Sequence, residues 1–288
     1  MTNLFPDHAS LVLPAPAKLN LFLHILGKRA DGYHNLQTIF QFLDYADKLA
    51  FNCREDGEVK LHTIFENVPH NDNLIVKAAN LLKNYANTPL GADIWIDKKL
   101  PMGGGIGGGS SNAATTLLAL NQLWQLNLDL TTLAKLGLQL GADVPVFVQG
   151  KAAFAEGIGE QLTPITPPEL WFLVAIPKVA IRTATIFSDP MLPRNTPTIT
   201  YQQALTIEGH NDCQAIVLNH YPAVRDAFLI MSKLAPTKLT GTGACLFASF
   251  STEQQALTAQ QQLINKVDCF IARSVNFSPL HQKINLII

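Results

Sequence analysis

The stretch PMGGGIGGGSSNAA, Pro101 to Ala114, decides how this chain is read. Six of the seven residues from Gly103 to Gly109 are glycine, and an alanine- and leucine-rich run follows at once. Just before it, ADIWID (92–97) alternates as a strand does. Just after it, SSNAATTLLALNQLW (110–124) predicts a helix, with Ser110 or Ser111 able to cap it. Strand, glycine loop, helix is an arrangement that cradles phosphate. Successive backbone N–H groups form a nest, and the helix N-terminus adds roughly half a positive charge. Glycine permits positive φ and lets phosphate oxygens approach without meeting a Cβ. Such a run costs considerable chain entropy on folding, and an ordinary turn needs only one or two glycines.

Several familiar phosphate and catalytic loops can be tested against it. Gly103, Gly105 and Gly108 fit G-x-G-x-x-G, but a dinucleotide fold also needs an acidic residue about 20 positions on, at a strand end. Asp129 has nearly that spacing and instead opens a helix. No Gly-Lys-Ser/Thr follows, so the Walker pattern fails. The chain has neither His-Arg-Asp nor Asp-Phe-Gly, so the protein-kinase set fails too. Asn112 stands where a nucleophile elbow needs glycine.

The rest of the chain reads as mixed strand and helix. KLNLFLHIL (18–26), LQTIFQFLDY (36–45) and EVKLHTIF (58–65) predict strands around a polar turn at Asp31-Gly32. A helix capped by Asp72 or Asn73 follows, and another runs from a cap at Asp129 to Gly141. KAAFAEGIGEQLTPI (151–165) returns to strand, and the three prolines of TPITPPE (163–169) mark a linker. LWFLVAIP, CLFASF and VDCFIARSV predict strands. YPAVRDAFLIMSKLA and STEQQALTAQQQLI predict helices, the latter capped by Ser251. The class is α+β in two halves, residues 1–165 and 166–288.

Composition bounds the partners. The 288 residues are 48% hydrophobic and 15% charged, with a formal net charge of −1. There is no basic excess or stripe, so an extended nucleic acid is not expected as a partner. Cys53, Cys213, Cys245 and Cys269 lie far apart and read as reduced thiols of a cytoplasmic protein. No zinc-ligand spacing exists. No Lys or Arg precedes Lys18, so no signal peptide is expected, and no apolar run reaches the ~18 residues of a membrane span.

The glycine loop is similar to the ATP loop of the galactokinase–homoserine kinase–mevalonate kinase–phosphomevalonate kinase superfamily. PAPAKLNLFLHI (14–25) resembles that superfamily's first motif, and KLTGTGACLFASF (238–250) its third. RADGYHNLQTIFQFLDYAD, GADVPVFVQGKAAFAEGIGE, DPMLPRNTP and NFSPLHQ resemble, more narrowly, the branch that phosphorylates a cytidine-diphosphate-linked methylerythritol in non-mevalonate isoprenoid (terpenoid) synthesis. The matching segments run from about residue 14 to 283.

That resemblance implies a fold and a set of roles. The fold is an N-terminal α/β domain like domain 2 of ribosomal protein S5, then a ferredoxin-like domain, with the active site in the cleft between. Pro101, Met102, Gly103, Gly104, Gly105, Ile106, Gly107, Gly108, Gly109, Ser110 and Ser111 would hold ATP, the serine hydroxyls serving as donors or meeting Mg²⁺ carried in with it. Asp143 would accept the proton of the substrate hydroxyl, and Lys18 would be its basic partner. From the residues alone, Asp143 reads as a helix cap before Val144 and Lys18 as a snorkelling surface residue. Asn20, on the same strand face as Lys18, would orient substrate hydroxyls. Tyr33 and Phe187 would sandwich the cytosine, and His34 would bond its edge. Thr240 to Gly243 would close a second backbone wall, and Asn73, Leu74 and Lys98 would line the adenine pocket. Other enzymes of the superfamily, acting on homoserine or a mevalonate derivative, have no use for a base pocket at RADGYH. A non-catalytic regulator would have no need of both Lys18 and Asp143. The expected protein is a monomer or weak homodimer.

Overall fold

The computed structural model describes residues 5–6, 8–65 and 68–285. In chain order the strands and helices of the first half are β1 (Leu11–Lys28), β2 (His34–Arg54), β3 (Val59–Leu61), α1 (Leu74–Ala86), β4 (Gly91–Asp97), α2 (Gly108–Leu123), α3 (Leu130–Leu138), α4 (Val144–Gln149), β5 (Ala153–Glu156) and β6 (Gln161–Pro164). The second half has β7 (Trp171–Ala175), α5 (Thr183–Ser188), α6 (Tyr201–Ala204), α7 (Gln214–His220), α8 (Pro222–Met231), β8 (Thr237–Leu239), β9 (Leu246–Phe250), α9 (Glu253–Leu263), β10 (Cys269–Val275) and α10 (Pro279–Asn285).

The frame of the first half is the long β1–β2 hairpin, paired from Leu11↔Phe51 to Lys28↔His34. It turns through Arg29–Tyr33, where Gly32 takes φ 87° and the Asp31 side chain accepts the Tyr33 N–H. The strand β2 also pairs with β4 and β5. The apolar face of this sheet lies under α1, α2 and α4, around Leu13, Phe42, Leu49, Phe51, Leu117 and Phe147. The last helix, α10, belongs to the same core through Leu280 and Ile284.

The second half is all antiparallel, in the order β10-β7-β9-β8. The chain runs strand, helices, two strands, helix, strand, and its spatial order of first to fourth strands is 4-1-3-2. That is the ferredoxin-like arrangement, so the expected α+β class in two parts holds. The strand β10 also pairs with β2 through Ser274↔Leu43 and Val275↔Phe42, so one sheet passes between the halves. A small core seals the joint: Ala17, Leu19 and Leu43 from the hairpin, Leu100 and Ile106 beside the glycine loop, and Phe172, Val174, Cys245 and Phe247 from the second half.

Several local expectations need correction. Only Val59–Leu61 of the stretch 58–65 is strand. The helix after the glycine loop begins three residues earlier than its serines suggest. Gly107 is its N-cap, at φ 75°, ψ 17°, and neither Ser110 nor Ser111 caps it. The left-handed Gly107 turns the chain into the helix without a side chain, and the serines fall inside the first turn. Asn73 does cap α1 through the Ile75 N–H, and Asp129 caps α3 through the Thr132 N–H. The helix α9 is capped by Thr252 and not by Ser251. Among the described residues, no helix is long and apolar enough to cross a membrane.

Candidate active site

The glycine loop is held by its carbonyls. Gly103 O accepts from the Ala244 N–H and Gly104 O from the Cys245 N–H, at 3.3 and 3.0 Å. Gly105 O accepts from Lys18 Nζ at 3.3 Å and from Thr240 Oγ1 at 3.5 Å. Ile106 O accepts from the Lys18 N–H at 3.0 Å. With the carbonyls taken, the N–H groups of Gly105, Ile106 and Gly107 donate to no protein acceptor among the described residues. Those of Gly108, Gly109 and Ser110 open α2, where no helical carbonyl lies behind them. The result is a row of unpaired donors at a helix N-terminus, the arrangement that binds anions.

Two of the glycines are also required by the protein itself. A Cβ on Gly105, which sits at φ 74°, would overlap the Thr240 carbonyl oxygen, and one on Gly107 would lie 2.7 Å from the Phe147 ring. Glycine here serves close packing of the third motif and of α4 as well as access for a ligand. Pro101 packs against Gly104, while Met102 is half exposed.

Lys18 and Asp143 meet beside this loop. Lys18 Nζ lies 3.0 Å from Asp143 Oδ2; the lysine side chain is 2% exposed and the aspartate 34%. The ammonium also donates to Asn20 Oδ1 at 2.5 Å and sits 5.0 Å over the Phe40 ring. With Gly105 O, its three donors all have acceptors, which a buried ammonium requires. Asp143 occupies the N-cap position of α4 yet makes no side-chain cap bond. A cap bonds the second or third helical N–H, and Pro145 at the second position has none. The carboxylate is left to face Lys18 and the cavity.

Asn20 accepts from Lys18 and donates one amide N–H to Thr38 Oγ1 at 3.0 Å. Its N–H donates to Thr240 Oγ1 at 2.9 Å, so the first and third motifs are stitched at this point.

One cavity of about 750 Å³ connects these groups to the tip of the hairpin. Lys18, Asn20, Gly105, Ser110 and Asp143 line one end; Tyr33, His34 and Phe187 line the other, and Gly241 and Thr242 close a side. The His34 and Phe187 ring centroids are 5.1 Å apart, inclined by 33°, and Tyr33 is 58% exposed at the mouth. Burial, then the nearby Arg194 and Lys28 charges, push the His34 pKa below the ordinary histidine value. Asn73, Leu74 and Lys98 are not among this cavity's lining residues. Leu74 and Lys98 instead flank the first residues of α2, within 3.2 Å of where side chains on Gly109 and Gly108 would begin.

Sequence reasoning missed Asp47. Its fully buried carboxylate accepts from Lys98 Nζ at 2.5 Å, from the Lys99 and Leu100 N–H groups, and from Asn112 Nδ2 at 2.8 Å. It thereby pins both arms of the glycine loop, the entering strand end and the first turns of the leaving helix. Burial lowers the Lys98 pKa and Asp47 opposes that shift. Removing one partner of a buried ion pair costs about 3–5 kcal/mol, because the other charge is left unpaired, so loss of the Lys98 partner would leave that penalty on the Asp47 carboxylate. Its sequence signal is only an aspartate closing an apolar run.

Among the described residues, no group of three His, Cys, Asp or Glu could hold a metal ion. Ser111 Oγ and Thr115 Oγ1, one helical turn apart behind the loop, are buried without a partner.

Comparison with known proteins agrees with this geometry. The GHMP kinases N terminal domain model matches residues 73–151 and the GHMP kinases C terminal model residues 201–268. The chain is 56% identical to the 4-diphosphocytidyl-2-C-methyl-D-erythritol kinase of Ectopseudomonas mendocina (strain ymp), over 97% of this chain and 96% of that one. It is 55% identical to the protein of the same name from Pseudomonas aeruginosa, over 96% and 99%. A crystal structure of 4-(cytidine 5'-diphospho)-2C-methyl-D-erythritol kinase superposes with a TM-score of 0.79 at 29% identity, covering 92% of this chain and 99% of that one. A mevalonate kinase shares the fold, with a TM-score of 0.67 at 18% identity over 93% of this chain and all of the other. The chain belongs to the GHMP kinases and, among them, to the family of 4-diphosphocytidyl-2-C-methyl-D-erythritol kinases.

Proposed function

We propose that this ATP-dependent kinase transfers the γ-phosphoryl group of ATP to a hydroxyl of 4-diphosphocytidyl-2-C-methyl-D-erythritol, giving the 2-phosphate and ADP in non-mevalonate isoprenoid synthesis. The observation that carries the reading is the single cavity. It has a donor-rich glycine loop and a lysine–aspartate pair at one end, and an aromatic and histidine slot at the other. A substrate with a reactive alcohol joined to a base through a diphosphate has the shape that such a cavity asks for.

Phosphoryl transfer needs positioning and charge neutralisation more than covalent help. In the proposed mechanism the residues from Pro101 to Ser111 hold the nucleotide, the main-chain N–H groups facing its phosphates. The substrate hydroxyl lies against Asp143, which takes its proton as the oxygen attacks the γ-phosphorus. The bond from that phosphorus to the β,γ-bridging oxygen breaks, and ADP leaves. Lys18 orients the carboxylate and offsets charge on the moving phosphoryl group. Asn20 borders the acceptor and holds the ammonium in register. Mg²⁺ would add charge neutralisation on the triphosphate, and the Ser110 hydroxyl at the cavity would be a protein oxygen near it.

Tyr33 and Phe187 flank the cytosine and His34 bonds its edge. Replacement of Tyr33 by alanine is expected to raise KM for the cytidine substrate about tenfold, within the range for a lost base-stacking contact, and to spare KM for ATP. Equal losses for both would point to misfolding. The reaction itself is checked by mixing the protein with Mg-ATP and candidate alcohols and following ADP. Turnover with homoserine or mevalonate, and none with the cytidine substrate, would contradict the proposal.

We divide the chain functionally at residue 165, with ATP gripped by 1–165 and the cavity closed by 166–288. Its last helix returns to the first core. The proposed enzyme works in the cytoplasm as a monomer or weak homodimer on small molecules, and the formal net charge of −1 gives no basic excess for a nucleic acid.

A further inference from the structure

Arg194 stands behind the base slot, on the far side of His34. Its guanidinium is spread over four acceptors. Nη1 donates to Leu192 O at 2.9 Å, and Nη2 to Phe187 O at 3.0 Å and Asp189 O at 2.8 Å. The third guanidinium nitrogen, Nε, points its single N–H at His34 Nε2 from 3.0 Å.

Arginine has five donors and no acceptor, and it stays protonated in proteins. His34 Nε2 must therefore be the acceptor in this bond and carries no hydrogen. A histidine with a bare Nε2 is neutral and bears its one proton on Nδ1. The lowered His34 pKa agrees with a neutral ring. His34 lines the cavity, and with Nε2 engaged, Nδ1 is the ring nitrogen left to serve a ligand.

We propose that Arg194 is a positioning residue for base recognition: it locks His34 as the Nδ1–H tautomer, so that the ring presents a donor to the pyrimidine. The proposal rests on the reading that this slot takes cytosine. Two acceptors on that base, the ring nitrogen N3 and the carbonyl O2, suit a donor of this kind. Without Arg194 the two tautomers of a neutral imidazole are free to exchange, and the one carrying its proton on Nε2 offers the base a lone pair where it needs a hydrogen. The same guanidinium holds the Phe187 carbonyl, so it also fixes the aromatic wall beside His34.

The test uses full-length protein labelled with ¹⁵N in its histidines, in wild-type form and as Arg194→Ala. Long-range ¹⁵N–¹H correlation spectra tell the tautomers apart. The expected result is a His34 Nδ1–H tautomer in the wild type and a mixture in the variant. KM for the cytidine substrate should rise about tenfold, in line with one lost hydrogen bond at a recognition site, while KM for ATP stays within twofold. A wild-type ring protonated on Nε2, or an unchanged tautomer in Arg194→Ala, would overturn the proposal. So would a variant whose KM rises equally for both substrates, since that pattern marks a scaffold residue. Titration of wild-type protein with cytidine diphosphate separates this from the underlying reading. If the His34 signals carry the expected tautomer yet do not move, the cytosine slot is wrong, and recognition through Arg194 falls with it. If they move but show the other tautomer, only the lock is wrong.

Discussion

Replacing Asp143 by asparagine is expected to lower kcat by roughly 10²–10⁴-fold and to leave ATP affinity nearly unchanged. The amide keeps the size of the carboxylate and can still accept a hydrogen bond from Lys18 Nζ, now 3.0 Å from Asp143, so the cavity wall survives. What disappears is the ability to take the alcohol proton. The glycine loop is fastened through its carbonyls to Ala244, Cys245, Lys18 and Thr240; of these only Lys18 touches Asp143, and the asparagine still offers it an acceptor. Calorimetric titration with ATP and steady-state release of ADP measure the two effects separately. Turnover at the wild-type rate would remove Asp143 from the role of base.

Lys18→Met is the second large effect. Methionine keeps the apolar stem of the lysine and falls one atom short of its length, so a residue 2% exposed is replaced without opening a large cavity. The variant leaves Asn20 Oδ1 and Asp143 without their shared donor and withdraws a cation from beside the loop. Loss of one preorganised charge-stabilising group costs about 10²–10³-fold in kcat, and that range is expected here. Because both side chains act on one proton and one phosphoryl group, the double variant Lys18→Met/Asp143→Asn should be much less impaired than the product of the single losses. A raised KM at unchanged kcat would reduce Lys18 to a binding residue. Additive losses would mean that the two do not work as a unit.

The loop's bare, donor-rich main chain was legible in the sequence from its glycine density, although Gly105 and Gly107 also serve close packing. Its exact start as a helix was not. The cap is made by the left-handed main chain of Gly107, and a glycine cap leaves no side-chain signal, so the neighbouring serines were credited instead. Asp143 read by itself as a cap, and only the resemblance gave it chemistry. In the structure the same position makes no cap bond: Pro145 offers no N–H, and the Asp143 main chain is already helical at φ −82°, ψ −13°, not extended as a cap requires. Lys18 was similarly ambiguous, since a lysine opening an apolar strand is ordinarily at a surface. Its burial depends on Asn20, two residues along the same strand, and on Gly105 and Asp143 arriving from two distant segments.

Other features depend on tertiary pairing. The passage of β10 between β2 and β7 sets the two halves edge to edge and cannot be read from alternation in any one strand. The segment from Ile176 to Cys213, with short helices at 183–188 and 201–204, has little periodicity. Its order comes from side chains such as Arg194 and from Asp212, which accepts from the Ile25 N–H and Thr196 Oγ1. Asp47, itself on β2, gathers donors from the loop after β4 and from α2 at once, and its partners lie 51 to 65 residues away.

The central claim is that an unpaired run of main-chain N–H groups grips the triphosphate and sets its terminal phosphorus beside Lys18 and Asp143. A crystal structure with a non-hydrolysable ATP analogue and the cytidine substrate tests it most directly. The account predicts phosphate oxygens within hydrogen-bonding distance of the N–H groups between Gly105 and Ser110, and the acceptor hydroxyl between the γ-phosphorus and the Asp143 carboxylate. A triphosphate bound away from that loop, or a γ-phosphorus pointing away from the lysine–aspartate pair, would contradict it.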